Sequence, residues 1–420
     1  MQPFRVVAGV DWADEKHDIC LVDQAEGTKE FEVIDQTPEG ISAWVHSLRR
    51  RFSDTQIAVC LEQSRGALIY GLMQYDFLSL VPVNPKQLAR FREAIGSGAG
   101  AKDDPGDAEL LSELFAKHGD RFKVWKPDTE ETRLLTLLTE DRRNLVNERT
   151  AYTNELKSLL KQFFPQALSL CSTLYSSVAC ELLSCWSSLP ELKQATFDDI
   201  RELYHSHGRA SQQQLRDRWL LIEKAVPLTT DKAIVTSRQM RVGAIVCQIK
   251  ELNKAISAYD EKIGKLYTQH PDHEIFDSFP GAGRVMGPRA LGAFGTDRER
   301  FSSAADLQSL SGIAPVTKKS GKSLVVHRRW ACNKFLLQTF HEYAAMSIKY
   351  SDWARAYFDI MKEKTGGHHA AVRALAFKWI RIIFSCWKTR TRYDEAKYVA
   401  CLKRRNSPII KRLELNTADA

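Results

Sequence analysis

Four carboxylates and one hydroxyl carry the chemistry this sequence could perform. Asp11 stands in the otherwise apolar run R-V-V-A-G-V-D-W at residues 5–12, where an uncompensated carboxylate is costly to bury. Glu62 closes a second apolar run, V-C-L-E. In K-D-D-P-G-D-A-E-L-L, Asp104 and Asp107 stand three apart at a helix start and so share one side of it. Carboxylates that converge repel one another unless a divalent cation lies between them, and all-oxygen donors suit Mg²⁺ or Mn²⁺. Each residue also has a purely structural reading. Asp11 reads as a strand-end turn residue and Glu62 as a surface residue leading into Q-S-R-G. Asp104 reads as an N-cap before Pro105, and Asp107 as a first-turn acid favoured by the helix dipole. Ser320 lies in K-K-S-G-K-S, among Lys318, Lys319, Lys322, His327, Arg328 and Arg329. There cations could hold a phosphate beside a hydroxyl able to attack it, although by residue type alone this is also a solvated basic turn.

The elements that must position these residues follow from hydrophobic spacing. Residues 5–12, 18–23 and 31–35 read as three strands of a meander, the first two joined by a tight A-D-E-K turn. Ile41, Trp44, Val45 and Leu48 give residues 38–52 a helical face, and Q-I-A-V-C-L-E then returns to strand. A helix from about Gly66, a strand L-S-L-V-P-V, a helix over 86–94, a glycine loop over 96–101 and a helix from Pro105 complete the first third. Three strands, a helix, a strand and further alternation is the order of an RNase H-like α/β domain, in which the first and fourth strands lie side by side. Asp11 and Glu62 would then face each other at the sheet centre.

Residues 128–163 form one long helical pattern ending at Pro165, with Leu134, Leu138, Leu145, Leu156, Leu159 and Leu160 as its apolar stripe. Residues 230–268 repeat the style through Ile245, Ile249, Leu252, Ile256 and Ile263, so a helical coiled-coil arm is expected over 126–270, with an insertion at about 166–225. A mainly α domain over 271–395 and a basic tail over 396–420 follow. In that domain P-G-A-G-R-V-M-G is similar to the hairpin of a helix-hairpin-helix, whose glycines let backbone N–H groups approach a phosphate; Gly281, Gly283 and Arg284 are its candidate contacts. Trp330, Phe335, Trp379 and Trp387 read as core, and His368 with His369 as an exposed helix entry.

Composition excludes several classes. A hydrophobic fraction of 44% with 27% charged residues is that of a globular protein, and no apolar run approaches the roughly 18 residues of a membrane span. The N-terminus enters a strand at once without a leader pattern, so a cytoplasmic protein is expected. Nine cysteines lack C-x-x-C pairs and zinc-finger histidines, and read as reduced core residues. Residues 1–125 hold 14 Lys and Arg against 20 Asp and Glu, a net −6, so the remaining residues carry +14 of the total +8. An acidic first third and a basic remainder suit a carboxylate–metal site joined to a nucleic-acid surface. A sugar-kinase-like ATPase also begins with G-x-D, but Trp12-Ala13-Asp14 lacks the residues that cradle phosphate.

The G-V-D-W, L-E and K-D-D-P-G-D-A segments resemble the Asp-Glu-Asp-Asp signature of the DEDD transposases of the insertion-sequence 110 group, which are bridge-RNA-guided recombinases. The stretch F-P-G-A-G-R-V-M-G-P-R-A-L-G-A-F-G, then F-S-S-A-A-D-L-Q-S-L-S-G-I-A-P-V-T-K-K-S-G-K-S and H-H-A-A-V-R-A-L-A-F-K-W-I-R-I-I-F, resembles that group's C-terminal transposase domain. The likeness spans about 5–165 and 235–395.

It implies that Asp11, Glu62, Asp104 and Asp107 are ligands of Mg²⁺ or Mn²⁺ in a RuvC-like domain. Asp103, which stands where the family usually has Thr, is the alternative third carboxylate; Asp104 keeps the three-residue spacing to Asp107. Ser320 matches the catalytic serine, although S-L-V-V-H-R-R-W replaces the glycine-containing segment that usually follows. The implied activity is DNA cleavage and rejoining through a covalent serine–DNA intermediate. A structured guide RNA from the same element would select donor and target DNA, and a homo-oligomer, dimer to tetramer, would share its sites between subunits. The alternatives are a metal-dependent nuclease of the Holliday-junction-resolvase type without a protein nucleophile, and a nucleic-acid-binding scaffold. Because the positive charge lies beyond residue 125, nucleic-acid affinity should fall steeply with added salt. In filter binding, a 1–125 fragment as tight as the whole chain would refute that assignment.

Overall fold

The computed structural model describes residues 4–53, 55–62, 65–95, 104–207, 210–321 and 323–418. The chain forms two compact units, 1–127 and 128–420. The first contains β1 (Val6–Trp12), β2 (Lys16–Asp23), β3 (Thr28–Asp35), α1 (Pro38–Arg51), β4 (Ile57–Leu61), α2 (Ala67–Leu72), β5 (Leu78–Pro82), α3 (Pro85–Ile95) and α4 (Asp104–His118). The five strands make one mixed sheet in the order β3-β2-β1-β4-β5. β2 is antiparallel to both β1 and β3, whereas β4 is parallel to both β1 and β5. This mixed sheet with helices is consistent with the RNase H-like expectation, and β1 does lie beside β4.

Side chains alternate across the strands, so each face of the sheet builds its own core. Val6, Ala8 and Val10 join Ile57, Val59 and Leu61 beneath α1, where Trp44, Val45 and Leu48 cover them. Val7, Ala58 and Cys60 face the other way, toward Leu88 of α3 and Leu111, Leu114 and Phe115 of α4. α1 starts where Thr37 accepts a hydrogen bond from the Gly40 amide (3.0 Å), with Pro38 in its first turn. Gly9 lets α4 lie directly on β1: a Cβ there would sit 2.0 Å from the Ala108 carbonyl oxygen and 2.7 Å from the Ser112 nitrogen. Ser112 also donates to the Cys20 sulfur of β2 (3.5 Å).

The second unit is mostly helical. It runs α5 (Glu130–Phe163), α6 (Gln166–Leu170), α7 (Ser177–Cys185), α8 (Leu189–Leu192), α9 (Phe197–His207), α10 (Gln212–Lys224), α11 (Lys232–Gln269), α12 (His273–Asp277), α13 (Gly283–Phe294) and α14 (Ala304–Leu310). A hairpin of β6 (Val316–Ser320) and β7 (Ser323–His327) precedes α15 (Lys334–Ser347), α16 (Asp352–Thr365), α17 (His368–Thr389), α18 (Glu395–Arg404) and α19 (Pro408–Ala418). α5 and α11 pair antiparallel, tied by Arg241–Glu155 (2.6 Å), Arg149–Asn253 (2.9 Å) and Arg142–Asp260 (2.5 Å). Leu156, Leu159 and Leu160 are buried as the periodicity predicts, but Leu134 is exposed and Leu135 is buried in its stead.

One core packs α6–α10 against these two helices, so the 166–225 stretch is a helical cluster on Leu170, Leu182, Leu192, Ile200 and Leu215. The other core surrounds Trp353, Trp379 and Trp387 at the far ends of the pair. The stretch 396–420, expected as a basic tail, contributes Leu402 and Ile409 to that second core, because α18 and α19 present apolar faces between their cations. Of the nine cysteines, Cys20, Cys60, Cys171 and Cys180 are buried, while Cys185 and Cys247 are exposed, which corrects the all-core reading. Among the described residues no helix is long and apolar enough to cross a membrane.

Gly9→Ala should lower stability by roughly 1–3 kcal/mol, the usual scale of overpacking against backbone. Gly243→Ala, in α11 with nothing within 4 Å of the new methyl, should instead hold or raise it. Urea midpoints of the two variants check this, and equal midpoints would mean that α4 does not rest on Gly9.

Candidate active site

The register of β1 on β4 brings two acids together. Val10 pairs with Leu61 across parallel strands, so Asp11 and Glu62 follow at one level where adjacent strands end. Alternation puts both on the face of Val7, Ala58 and Cys60, the face that α4 covers. Both are half-buried. The turn behind Asp11 is closed by the fully buried His17, whose Nδ1 accepts from the Ala13 amide (3.3 Å) while its Nε2 meets Gln36.

A further acid lies on this face. β2 pairs Asp18 directly opposite Asp11, so the two side chains are neighbours on the α4 side. Asp18 is only 8% exposed. Sequence reading passed over it because H-D-I-C-L reads simply as strand; only the antiparallel register reveals it.

Asp107 enters from the other side. It lies in the first turn of α4, just before the Ala108 that touches Gly9, and is buried against an ion pair with Arg92 of α3. Asp104 begins the same helix, but its side chain, like Asp103 and the 96–101 glycine loop, lies outside the described residues. Among the described residues no three Asp, Glu, His or Cys side chains close into a metal cluster. The donor set is carboxylate only, which fits a hard divalent cation and offers nothing to a thiolate- or imidazole-seeking one.

Ser320 ends β6 at the tip of the hairpin. It stands opposite Ser323, with Gly321 between them in a left-handed conformation (φ 56°) and Lys322 outside the described residues. Directly opposed residues share a face, so Ser320, Ser323, Lys318 and Val325 line one side of the ribbon. Lys319 and Val326 line the other. Of the neighbouring lysines, Lys318 is therefore beside the hydroxyl, whereas Lys319 faces away. Both serines are exposed. Arg329 donates to the Ala314 carbonyl (3.3 Å), and Arg328 lies over the Trp330 ring (5.0 Å). Trp379 and Trp387 are fully buried, but Trp330, read as core from its spacing, is 71% exposed, because it sits in the link after β7 and not on α15.

At the glycine turn, Gly281 (φ 78°) and Gly283 (φ 48°) join α12 to α13. A Cβ on Gly281 would meet Tyr350 at 3.0 Å and Met346 at 3.2 Å, so its missing side chain serves packing; around Gly283 nothing lies within 4 Å, and Arg284 is exposed. Arg289, one turn on, is buried against Glu342 (2.6 Å) and Thr339 (3.1 Å), and burial lowers its pKa against the opposing pull of Glu342. No periodicity in the sequence singles it out.

A family model of the DEDD type, described as a transposase of IS110, matches residues 8–165, and one described as transposase of the IS116/IS110/IS902 family matches 273–359. The chain belongs to the IS110 family of transposases. It is 27% identical over 95% of its length to a transposase ascribed to the IS117 mini-circle of Streptomyces coelicolor, covering 98% of that protein. It is 23% identical to a 44.8 kDa protein of insertion element IS116 from Streptomyces clavuligerus, over 93% of this chain and 97% of that one. To the 43.6 kDa protein of IS110 from Streptomyces coelicolor it is 25% identical, over 70% and 72%. The IS110-family transposase is thus a DNA recombination enzyme, and membership of the DEDD group implies dependence on a divalent metal.

Lys318 shares the face of Ser320 and Lys319 does not, so if a phosphate reacts at Ser320, Lys318→Ala in this transposase should slow strand transfer by roughly ten-fold more than Lys319→Ala. DNA affinity should fall to a similar extent in both. Single-turnover rates at saturating protein test the difference; equal rates would remove Lys318 from the neighbourhood of the reacting phosphate.

Proposed function

We propose that this transposase cleaves and rejoins the DNA of an insertion sequence through a covalent serine–DNA intermediate, using metal-binding carboxylates. The observation that carries the reading is the parallel register of β1 on β4, which sets Asp11 beside Glu62 under the first turn of α4. On this reading Asp11, Glu62, Asp104 and Asp107 hold Mg²⁺ or Mn²⁺ in an RNase H-like, RuvC-like domain of about 1–125. Asp18 belongs to the same face, and Asp103 is the alternative to Asp104. A bound divalent cation would withdraw charge from a phosphodiester and lower the pKa of a hydroxyl on it. Arg92 pairs with one oxygen of the Asp107 carboxylate, which leaves the other oxygen to face a cation.

Ser320 is the nucleophile of the proposal. Its Oγ–H gives up its proton as Oγ bonds to phosphorus, the P–O bond to one DNA strand breaks, and that proton, passed on through solvent, ends on the departing oxygen so that the strand leaves as a hydroxyl. The ester retains the bond energy, so a second strand's hydroxyl can displace Ser320 and restore a phosphodiester without ATP. Lys318 neutralises phosphate charge on that face; Arg328 and Arg329 extend the cationic surface, Lys322, outside the described residues, is a further candidate contact, and Gly283 with Arg284 contacts the backbone elsewhere. We further propose that a structured guide RNA selects donor and target DNA, that the protein works in the cytoplasm as a homo-oligomer, and that 126–270 is a coiled-coil arm ahead of a transposase domain at 271–395.

Two substitutions test the chemistry. Asp11→Asn should abolish cleavage and weaken Mn²⁺ binding measured by calorimetry, with Asp18→Asn weakening it less. Ser320→Ala should eliminate both recombination and the protein–DNA adduct seen on denaturing gels, leaving DNA binding intact. An adduct mapped to Ser323 would move the nucleophile across the hairpin, and cleavage without any adduct would favour the hydrolytic nuclease.

A further inference from the structure

We propose that Trp330, with the Arg328 guanidinium over its ring (5.0 Å to the centroid), is a platform for an unpaired nucleobase. The indole is 71% exposed, yet the segment that carries it is tied down. Arg329 Nε donates to the Ala314 carbonyl (3.3 Å), the Asn333 amide to the Leu310 carbonyl (3.0 Å), and Lys334 Nζ to the carbonyl of Trp330 itself (2.6 Å). Cys332 packs on Gly312 so closely that a Cβ there would lie 2.5 Å from its sulfur. A fixed backbone therefore presents a large flat side chain to solvent, where it contributes little to folding. Such rigidity is what a recognition surface requires, since the ordering cost is met before the ligand arrives.

Charge identifies the occupant. No Asp or Glu stands between Asp306 and Glu342, while Lys318, Lys319, Lys322, Arg328, Arg329 and Lys334 all do. A second copy of the chain docking here about a two-fold axis would set these cations against themselves, whereas a polyanion neutralises them. An aromatic ring with a guanidinium on it adds a preference for planar, polarisable partners, and bases stack on such surfaces whatever their sequence. The base must be unpaired, because a base inside a duplex has both faces covered by its neighbours.

The ribbon also sets a distance. Ser320 and Ser323 face each other at its tip and Val316 faces His327 at its foot, four strand steps or about 13 Å away. The platform beyond His327 thus meets a base several nucleotides from whatever phosphate lies at the tip. It does not depend on Ser320 being the nucleophile.

The experiment uses full-length protein and three labelled probes of one sequence: single-stranded DNA, single-stranded RNA and duplex DNA. Trp330→Ala should weaken binding to a single-stranded probe by about ten-fold, within the range measured for losing one stacked base. Trp330→Phe should keep most of the affinity, and duplex binding should change less than about two-fold. The dependence of affinity on salt should stay unchanged for Trp330→Ala, whereas Lys318→Ala should reduce its slope by about one for every probe. A loss confined to the DNA strand or to the RNA strand supports the platform and assigns the base to that polymer. The proposal is overturned by an equal loss on duplex, by an altered salt slope in Trp330→Ala, by unchanged single-strand binding, or by a change in sedimentation with nucleic-acid binding unaffected.

Discussion

The contact on which the first unit depends is the seat of α4 on β1. At Gly9 the helix backbone reaches the strand with no side chain between them, the Ala108 carbonyl standing where a Cβ would be. Because α4 can approach this closely, Asp107 in its first turn comes down on the face that carries Asp11, Asp18 and Glu62. A helix held off by one methyl group would carry Asp107 away from the face of these acids. The absence of a side chain at one strand position is thus a requirement of the acidic face as much as of the core.

Acids gathered on a covered face oppose folding, and the protein distributes that opposition. Asp107 is offset by Arg92, while Asp11 and Glu62 stand at strand ends and are only half-buried. Asp18 is the most deeply covered of the sheet's acids on this side. On the proposed reading a divalent cation would offset the repulsion among these acids, so folding of the site and metal affinity would be linked. The basic hairpin of the second unit shows the complementary condition. Its cations lack acidic neighbours along the chain from Asp306 to Glu342, so no carboxylate close in sequence offsets their charge.

The second unit achieves its organisation by different means. α5 and α11 run between two apolar cores, and the middle of their pairing is held by arginine contacts such as Arg142 with Asp260. Exposed pairs of this type add little stability, so the cores at either end hold the two helices together. The hairpin, the glycine turn and the tryptophan core all lie toward one end, and the helices of 166–225 toward the other.

What the sequence determined by itself was periodic or carried by residue type. Strand alternation, the helical faces of α1, α4, α5 and α11, and the isolation of Asp11 in an apolar run are local properties, and they were legible because each depends on residues a few positions apart. The likeness of G-V-D-W and K-D-D-P-G-D-A to a transposase signature was equally local. The adjacency of the first and fourth strands followed from the order of elements, but the residue-by-residue registers and the seating of helices on the sheet were not legible, because they depend on residues far apart in the chain. Asp18 faces Asp11 only through an antiparallel register, Lys319 turns from Ser320 only because the ribbon alternates, and Trp330 is exposed only because a loop and not a helix carries it. The apolar faces of α18 and α19 likewise acquire a meaning only once a core exists to receive them. In each case the residue type was readable in one dimension, while its neighbour was chosen by contacts that form when the chain folds.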